Sequence, residues 1–145
     1  MRLREDEWTS EMKEVVCLAQ RMFDHRGVRL SKIAIVRHFK KVGGDYAAMV
    51  SGQTLGFNHA SNLRYYWDLS NRDNLKYMIS LISHEMAHVA DGGNCGCGHY
   101  NPGFRNHMED SIGIFTALAL DDPDFFKPVI TDDGLRHASY RGVVE

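Results

Sequence analysis

The stretch that decides the fold runs from Leu75 to Asp91 and reads LKYMISLISHEMAHVAD. Its apolar side chains recur at steps of three and four residues, which is the period of one buried helix face. These positions are Leu75, Met78, Ile79, Ile82, Met86 and Val89. We predict a helix over residues 70–91, with Ser70 as its N-cap and Asp73 as the acidic partner of a capping box. Gly92 and Gly93 would end it.

This helix contains His84-Glu85-Met86-Ala87-His88, an HExxH motif. Side chains four positions apart share one helix face, so both imidazoles can reach one metal ion with Glu85 beside it. Zinc held by three protein ligands keeps a fourth position for water and lowers the pKa of that water to about 7. Glu85 would accept the proton and pass it to the leaving group. The motif predicts metal-assisted hydrolysis with Zn²⁺ as the cofactor.

A catalytic zinc needs a third ligand, and the sequence after His88 offers several candidates. His99 lies in a glycine-rich loop, Gly92 to Gly103, that can fold back over the end of the helix, and we prefer it. His107 is the main alternative. The remaining candidates are Cys95 and Cys97 as thiolates and Asp91 as a carboxylate. Asp91 better suits an acceptor that holds an imidazole in its correct tautomer.

Tyr100 and the two cysteines have competing interpretations. Tyr100, beside His99, could donate a hydrogen bond to the oxyanion of a tetrahedral intermediate, or it could simply pack over the loop. Cys95 and Cys97 could form a second metal site. We favour a tight glycine loop with two half-buried thiols, because no second pair of ligands is evident.

The elements upstream of the motif helix predict a small sheet. An amphipathic helix is expected over residues 7–26, with Gly27 as its left-handed end. Strands are expected from Val28 to about Phe39, and over Tyr46–Val50, Gln53–Phe57 and the aromatic-rich Leu63–Leu69. The expected sheet therefore has three or four strands.

A closing helix is expected downstream, from about Phe104 to Leu120, with Asn101 as its cap and Pro102 in its first turn. The residues from Asp121 onwards are acidic and then polar. We therefore predict one α+β domain over residues 1–120 and a tail over 121–145 that packs on it or trails from it.

Composition excludes several classes of protein. The chain has 145 residues, 43% of them hydrophobic and 25% charged, which is typical of one globular domain rather than a disordered or fibrous chain. No apolar run reaches the roughly 20 residues that a membrane span needs. The charged N-terminus, MRLREDEW, does not fit a signal peptide, and three cysteines cannot form a full disulfide framework. We therefore expect a cytoplasmic protein without a membrane partner.

A local run of basic residues stands out against the net charge of −2. The segment Arg26–Lys41 carries six basic side chains and no acid: Arg26, Arg29, Lys32, Arg37, Lys40 and Lys41. It could make a weak contact with DNA or an acidic protein. The alternative, which we favour, is a solvated edge-strand face charged against aggregation.

The motif and the residues after it resemble a known family. The HExxH helix followed by Gly98-His99-Tyr100-Asn101-Pro102-Gly103-Phe104-Arg105-Asn106-His107-Met108 looks like the SprT-like (Spartan) zinc metallopeptidases, whose HExxH helix precedes a Gly-His element and a phenylalanine. The resemblance covers residues 75–110 well and the upstream elements loosely. The spacing from His88 to His99 is short for the family, and the three cysteines of this sequence cannot supply the four ligands of the zinc ribbon that follows the protease domain in many relatives.

The resemblance implies a zincin-like minimal metallopeptidase domain with His84, His88 and His99 as zinc ligands and Glu85 as the catalytic base. It implies a protein or peptide substrate, extended along a sheet edge beside the metal, and possible action on DNA-associated proteins. Two alternatives stay open at this point. One is a non-catalytic structural or adaptor protein stabilised by zinc, and the other is a zinc-dependent hydrolase of RNA or another phosphodiester.

Overall fold

The computed structural model describes residues 2–36, 46–59, 64–93 and 99–135. They form the expected α+β fold, which combines three long helices with a small mixed sheet. The helices are α1 (Ser10–Arg26), α2 (Arg72–Ala90) and α3 (Pro102–Asp121), and the strands are β1 (Lys32–Val36), β2 (Ala48–Ser51) and β3 (Thr54–Asn58). Short 3-10 turns lie at Glu5–Glu7, Arg64–Trp67 and Pro123–Phe126.

Helix α1 supplies the largest share of the hydrophobic core. Its apolar side is completely buried, including Met12, Leu18 and Phe23. The helix begins three residues later than predicted because Glu5–Glu7 forms a separate 3-10 turn and the Thr9 side chain caps α1, accepting a hydrogen bond from the Met12 N–H at 3.3 Å. It ends as predicted at Gly27, whose φ is 67°.

The described strands form a three-stranded sheet in the order β1-β3-β2. Strand β1 runs parallel to β3, and β2 runs antiparallel to it. This confirms three of the predicted strands with boundaries shifted by a few residues, while residues 37–39 of the first lie outside the described part of the chain. The N-terminus covers the outer edge of β1, because the Leu3 N–H donates to the Ile35 carbonyl at 2.8 Å. Strand β2 forms the opposite edge.

The predicted strand Leu63–Leu69 is wrong. Residues Arg64–Trp67 form a 3-10 turn instead. Trp67 is 1% exposed and its ring lies edge-on to Phe57, with the centroids 5.7 Å apart, while Tyr66 stacks on Tyr77 of α2 at 4.1 Å. Packing of these rings between sheet and helix overrides the strand preference of aromatic residues.

Helix α2 lies along β2 and packs against α3. Its predicted extent is confirmed, but the cap is Asn71 rather than Ser70: the Asn71 side chain accepts from the N–H groups of Asp73 and Asn74, while the Ser70 hydroxyl donates to Asp68. At the other end Gly93, with φ of 77°, meets the turn between β2 and β3. A Cβ there would lie 2.4 Å from the Gly52 carbonyl oxygen, so only glycine lets the two turns touch.

Helix α3 starts at Pro102 in its first turn, two residues earlier than predicted. The chain then returns along α1: the Arg21 guanidinium donates to the carbonyls of Lys127 and Val129, and the Thr131 N–H donates to the Cys17 sulfur at 3.4 Å. Residues 122–135 therefore pack on the same body as the rest of the described chain. Within the described ranges, no helix combines the length and the apolarity needed to cross a bilayer.

Candidate metal centre

Three histidine side chains converge beside the edge of the sheet. His84 and His88 lie one turn apart on α2, and His99 approaches both from the turn before α3. The Nε2 atom of His99 lies 3.0 Å from Nε2 of His88 and 3.3 Å from Nε2 of His84. Among the described residues these three form the group of ligand-type side chains able to hold one metal ion, and all their ligand atoms lie within 4.8 Å of one another.

The arrangement fits a tetrahedral ion. For Zn–N bonds of about 2.0–2.1 Å and tetrahedral angles, neighbouring ligand nitrogens lie about 3.3–3.4 Å apart. The distances from His99 Nε2 to the two α2 imidazoles are within a few tenths of an ångström of this value. Imidazole nitrogen is a preferred donor for zinc and for several other transition metals. The three histidines can therefore hold a metal, and their geometry does not by itself choose which one.

Phe104 forms the apolar floor of the histidine cluster. It is 6% exposed, and its ring centroid lies 4.6 Å from that of His88 and 5.2 Å from those of His84 and His99. Because Phe104 sits in the first turn of α3, it also fixes that helix against α2. The ring thus limits the directions in which the three imidazoles can turn.

Glu85 lies beside the histidines in a buried position of α2. It is 6% exposed, and burial raises the pKa of its carboxyl group to about 7. A carboxyl group with this pKa can both accept and release a proton near neutral pH, which general acid–base catalysis requires. Buried carboxyl groups with such shifts concentrate at functional sites.

The two imidazoles of α2, His84 and His88, are biased towards the neutral form that binds metals. Burial lowers the pKa of His88 to about 4, with His84 and His99 contributing, and burial together with His99 lowers the pKa of His84. Asp91 acts in the opposite direction on His88, so its carboxylate lies close enough to be felt there. A nearby negative charge also favours a bound cation.

The cluster opens into a cleft between β2 and α2. A cavity of about 120 Å³ is lined by the three histidines, Glu85, Tyr46, Ala48 and Met49. It continues into an open recess of about 380 Å³ along the first half of α2, where Tyr77, Ser80 and Leu81 face Tyr46 and Ala47. Tyr46, which precedes β2 and lines both spaces, was not predicted, because a single sequence does not show which side chain will face a helix far along the chain.

Other predicted residues lie elsewhere. Tyr100 is 91% exposed and is not among the residues that line the cleft. His107 is not part of the histidine cluster: it belongs to α3, where its carbonyl oxygen and the Ser111 hydroxyl accept hydrogen bonds from the Arg26 guanidinium. Cys95 and Cys97 lie outside the described residues.

Only part of the basic segment Arg26–Lys41 can be placed. Arg26 is half-buried against α3, while Arg29 is exposed. Arg37, Lys40 and Lys41 lie outside the described residues. Arg26 therefore ties the end of α1 to α3, and the contact with DNA stays a prediction.

Comparison with known proteins adds no relative. No protein-family model, no curated protein and no solved structure matches this chain.

Proposed function

We propose that this chain is a zinc-dependent metallopeptidase with a zincin-like domain of the SprT-like kind. The observation that carries the proposal is the convergence of three imidazoles beside the buried carboxyl group of Glu85. A purely structural zinc site is normally closed by four protein ligands and has no use for a base. The described residues supply three ligands, an adjacent carboxyl group and an open cleft, which are the components of a hydrolytic site.

The chain's own residues then have defined tasks. Bound at the three histidines, zinc would supply a Lewis acid and an acidified water. Glu85 would take a proton on its carboxylate and deliver it to the leaving amine. Phe104 packs on the three imidazoles and Glu85 is 6% exposed, so electrostatic interactions at these groups are stronger than in bulk water.

Strand β2 offers a place for an extended polypeptide substrate. The Asn58 N–H donates to the Ala47 carbonyl at 2.9 Å, so residues 47 and 58 form a hydrogen-bonded pair of the antiparallel ladder. Because such pairs alternate, Ala48 and Val50 direct their N–H and C=O groups away from β3, towards the open edge beside the cleft, which no other described strand covers. A substrate strand can add to this edge through main-chain hydrogen bonds without sequence preference.

The recess along α2 would receive a substrate side chain. Tyr77 and Leu81 line it, and Leu81 lies three residues before His84, one helical turn from the metal centre. These walls favour a large apolar or aromatic side chain next to the scissile bond. We therefore expect unfolded or extended protein segments as substrates.

The test is hydrolysis by the zinc-loaded protein and by Glu85→Gln. Wild type should cleave casein, and the variant should bind zinc equally well while its turnover falls by about 10²–10⁴-fold, the range typical of general acid–base catalysis. Glu109→Gln, at an exposed position of α3 away from the cleft, is the matched control and should behave as wild type.

Parallel incubations with single-stranded DNA and RNA separate the alternatives. Nucleic-acid cleavage that depends on Glu85, without casein cleavage, would replace the peptidase with a phosphodiester hydrolase. If zinc removal unfolds the chain and Glu85→Gln changes no activity, zinc has a structural role.

A further inference from the structure

Asp91 joins the end of α2 to the start of α3. It follows the last residue of α2 and lies three residues after His88. The Asn101 side-chain amide donates a hydrogen bond to Asp91 Oδ2 at 3.1 Å, and Asn101 is the residue that precedes α3. Among the described residues, the Asn101 amide donates to Asp91 and none of the three metal-site imidazoles does, so Asp91 does not hold an imidazole directly.

Gly103 provides the space for the other carboxylate oxygen. A Cβ atom built at Gly103 would lie 2.5 Å from Asp91 Oδ1 and 3.5 Å from Asp91 Cγ, so the carboxylate occupies the volume of a side chain at this position. Gly103 is in the first turn of α3, where a negative charge is also favoured by the helix dipole. The Asp91 carboxylate thus accepts a hydrogen bond from Asn101 through Oδ2, while its Oδ1 lies in the space beside Gly103.

Asn101 and Gly103, the residues that Asp91 contacts, lie next to residues of the metal centre. His99 is two residues before Asn101 and Phe104 directly follows Gly103. His99 itself lies in an exposed turn rather than in a helix or strand, so its own element does little to fix it. A ligand on a turn needs support from outside the turn, because ligand geometry has to be held within a few tenths of an ångström.

We propose that Asp91 is a positioning residue that fixes His99, the third metal ligand, through its contacts with Asn101 and Gly103. We call these two contacts of Asp91 the clasp. The inference rests on the proposed zinc function but concerns a group that touches neither metal nor substrate. The clasp preorganises the turn, so that zinc binding does not have to order it. Loss of such outer partners typically weakens metal binding about 10–100-fold.

Two substitutions test the clasp, one at Asp91 and the other at Gly103. Asp91→Ala removes the carboxylate, and Gly103→Ala displaces it with one methyl group. Alanine is preferred over glycine inside helices by roughly 0.5–1 kcal/mol, so Gly103→Ala would be neutral or stabilising if Asp91 were not there. Gly113→Ala is the matched control, because a Cβ at Gly113 meets nothing within 4 Å.

The measurement is zinc affinity by competition with a chromophoric chelator, with the fold followed by circular dichroism. We expect a loss of about 10–100-fold for Asp91→Ala and Gly103→Ala, no loss for Gly113→Ala, and partial recovery for Asp91→Asn, which keeps an acceptor oxygen for Asn101. The sharpest comparison repeats Asp91→Ala in a His99→Ala background. There the further loss should disappear, because the ligand being positioned is already gone.

The outcomes separate this inference from the proposed function. If wild type binds no zinc, the proposed function fails. If wild type binds zinc and both clasp variants bind it equally tightly, or if Asp91→Ala costs the same affinity with and without His99, the positioning role is wrong. Should Asp91→Ala not fold, Gly103→Ala and Asp91→Asn carry the same test.

Discussion

At the scale of single residues, the site is built from polar groups in places that normally hold apolar ones. Glu85 and His88 are 6% and 4% exposed, on the same helix as the completely buried Ile82 and Met86. Burying a carboxyl group disfavours its charged form, and the raised pKa of Glu85 is the visible consequence. Such a cost is typical of residues kept for chemistry rather than for stability.

His107 illustrates a half-buried histidine without a place in the site. Its Nδ1 atom is buried with no hydrogen-bond partner among the described residues, and its pKa is lowered by burial first, then by the charge of Arg26, with Asp110 opposing. The folded state therefore resists protonation more than the unfolded state does. Stability should be fully present above the unfolded pKa of about 6.5 and should fall as the pH drops below it.

His107→Gln, which is neutral at every pH, should remove this contribution. We expect the free energy of unfolding of the metal-free protein, measured by urea titration, to fall less between pH 7.5 and pH 5.5 in the variant than in wild type. Wild type and variant losing stability in parallel over this range would show that His107 titrates normally.

At the scale of elements, the sequence predicts what is local. The three- and four-residue period of α2 places His84 and His88 on one face without any knowledge of the fold, and the left-handed end of α1 follows from Gly27 alone. Ser70 and Asn71 are both good N-cap residues. Asn71 is the cap in the structure, because the Ser70 hydroxyl donates its hydrogen bond to Asp68. A one-residue error of this kind is inherent in reading caps from sequence.

Contacts between segments that are far apart in the chain could not be predicted from the sequence. The aromatic run ending at Trp67 reads as a strand, but the space between β3 and α2 makes it a 3-10 turn. Tyr46 lines the cleft because α2 packs on the sheet. Asp91 contacts Asn101 and Gly103 because α2 packs on α3. The preference for His99 as the third ligand stays a prediction, although the structure brings His99 and not His107 to the other two histidines.

The edge of β2 provides a prediction about how a peptide substrate binds. Ala48→Pro removes an N–H that points to the open edge and leaves the ladder to β3 intact. We expect the zinc-loaded variant to lose roughly 3- to 10-fold in kcat/KM on peptides, the value of about one hydrogen bond, with zinc affinity unchanged.

Ala48→Gly keeps the N–H and serves as the matched control. A series of substrates methylated at successive backbone nitrogens should show losses at every second position, since alternate residues of a strand face the edge. Losses without that alternation would mean that substrate does not pair with β2.

At the scale of the whole molecule, the metal centre joins the parts of the fold. His84 and His88 belong to α2, His99 precedes α3, and the cleft wall belongs to β2. An ion bound to these histidines would link α2 to the start of α3 and would stabilise the folded state by mass action, since the unfolded chain has no such site.

Zinc at one hundred times its Kd should add about 2.7 kcal/mol to the free energy of unfolding, or roughly 10 °C in thermal melting for a chain of this size. Excess chelator should abolish the shift. His99→Ala should lose most of it, and His107→Ala should keep it. Equal shifts in wild type and His99→Ala, or a shift that disappears in His107→Ala, would show that the third ligand has been assigned wrongly.

The most direct measurement is a crystal structure of the zinc-loaded protein with anomalous diffraction at the zinc edge. We predict one strong anomalous peak about 2.0–2.1 Å from each Nε2 atom of His84, His88 and His99. A water should occupy the fourth position, within hydrogen-bond distance of Glu85. A peak coordinated by Cys95, Cys97 or His107 in place of His99, or four protein ligands with no room for water, would contradict it.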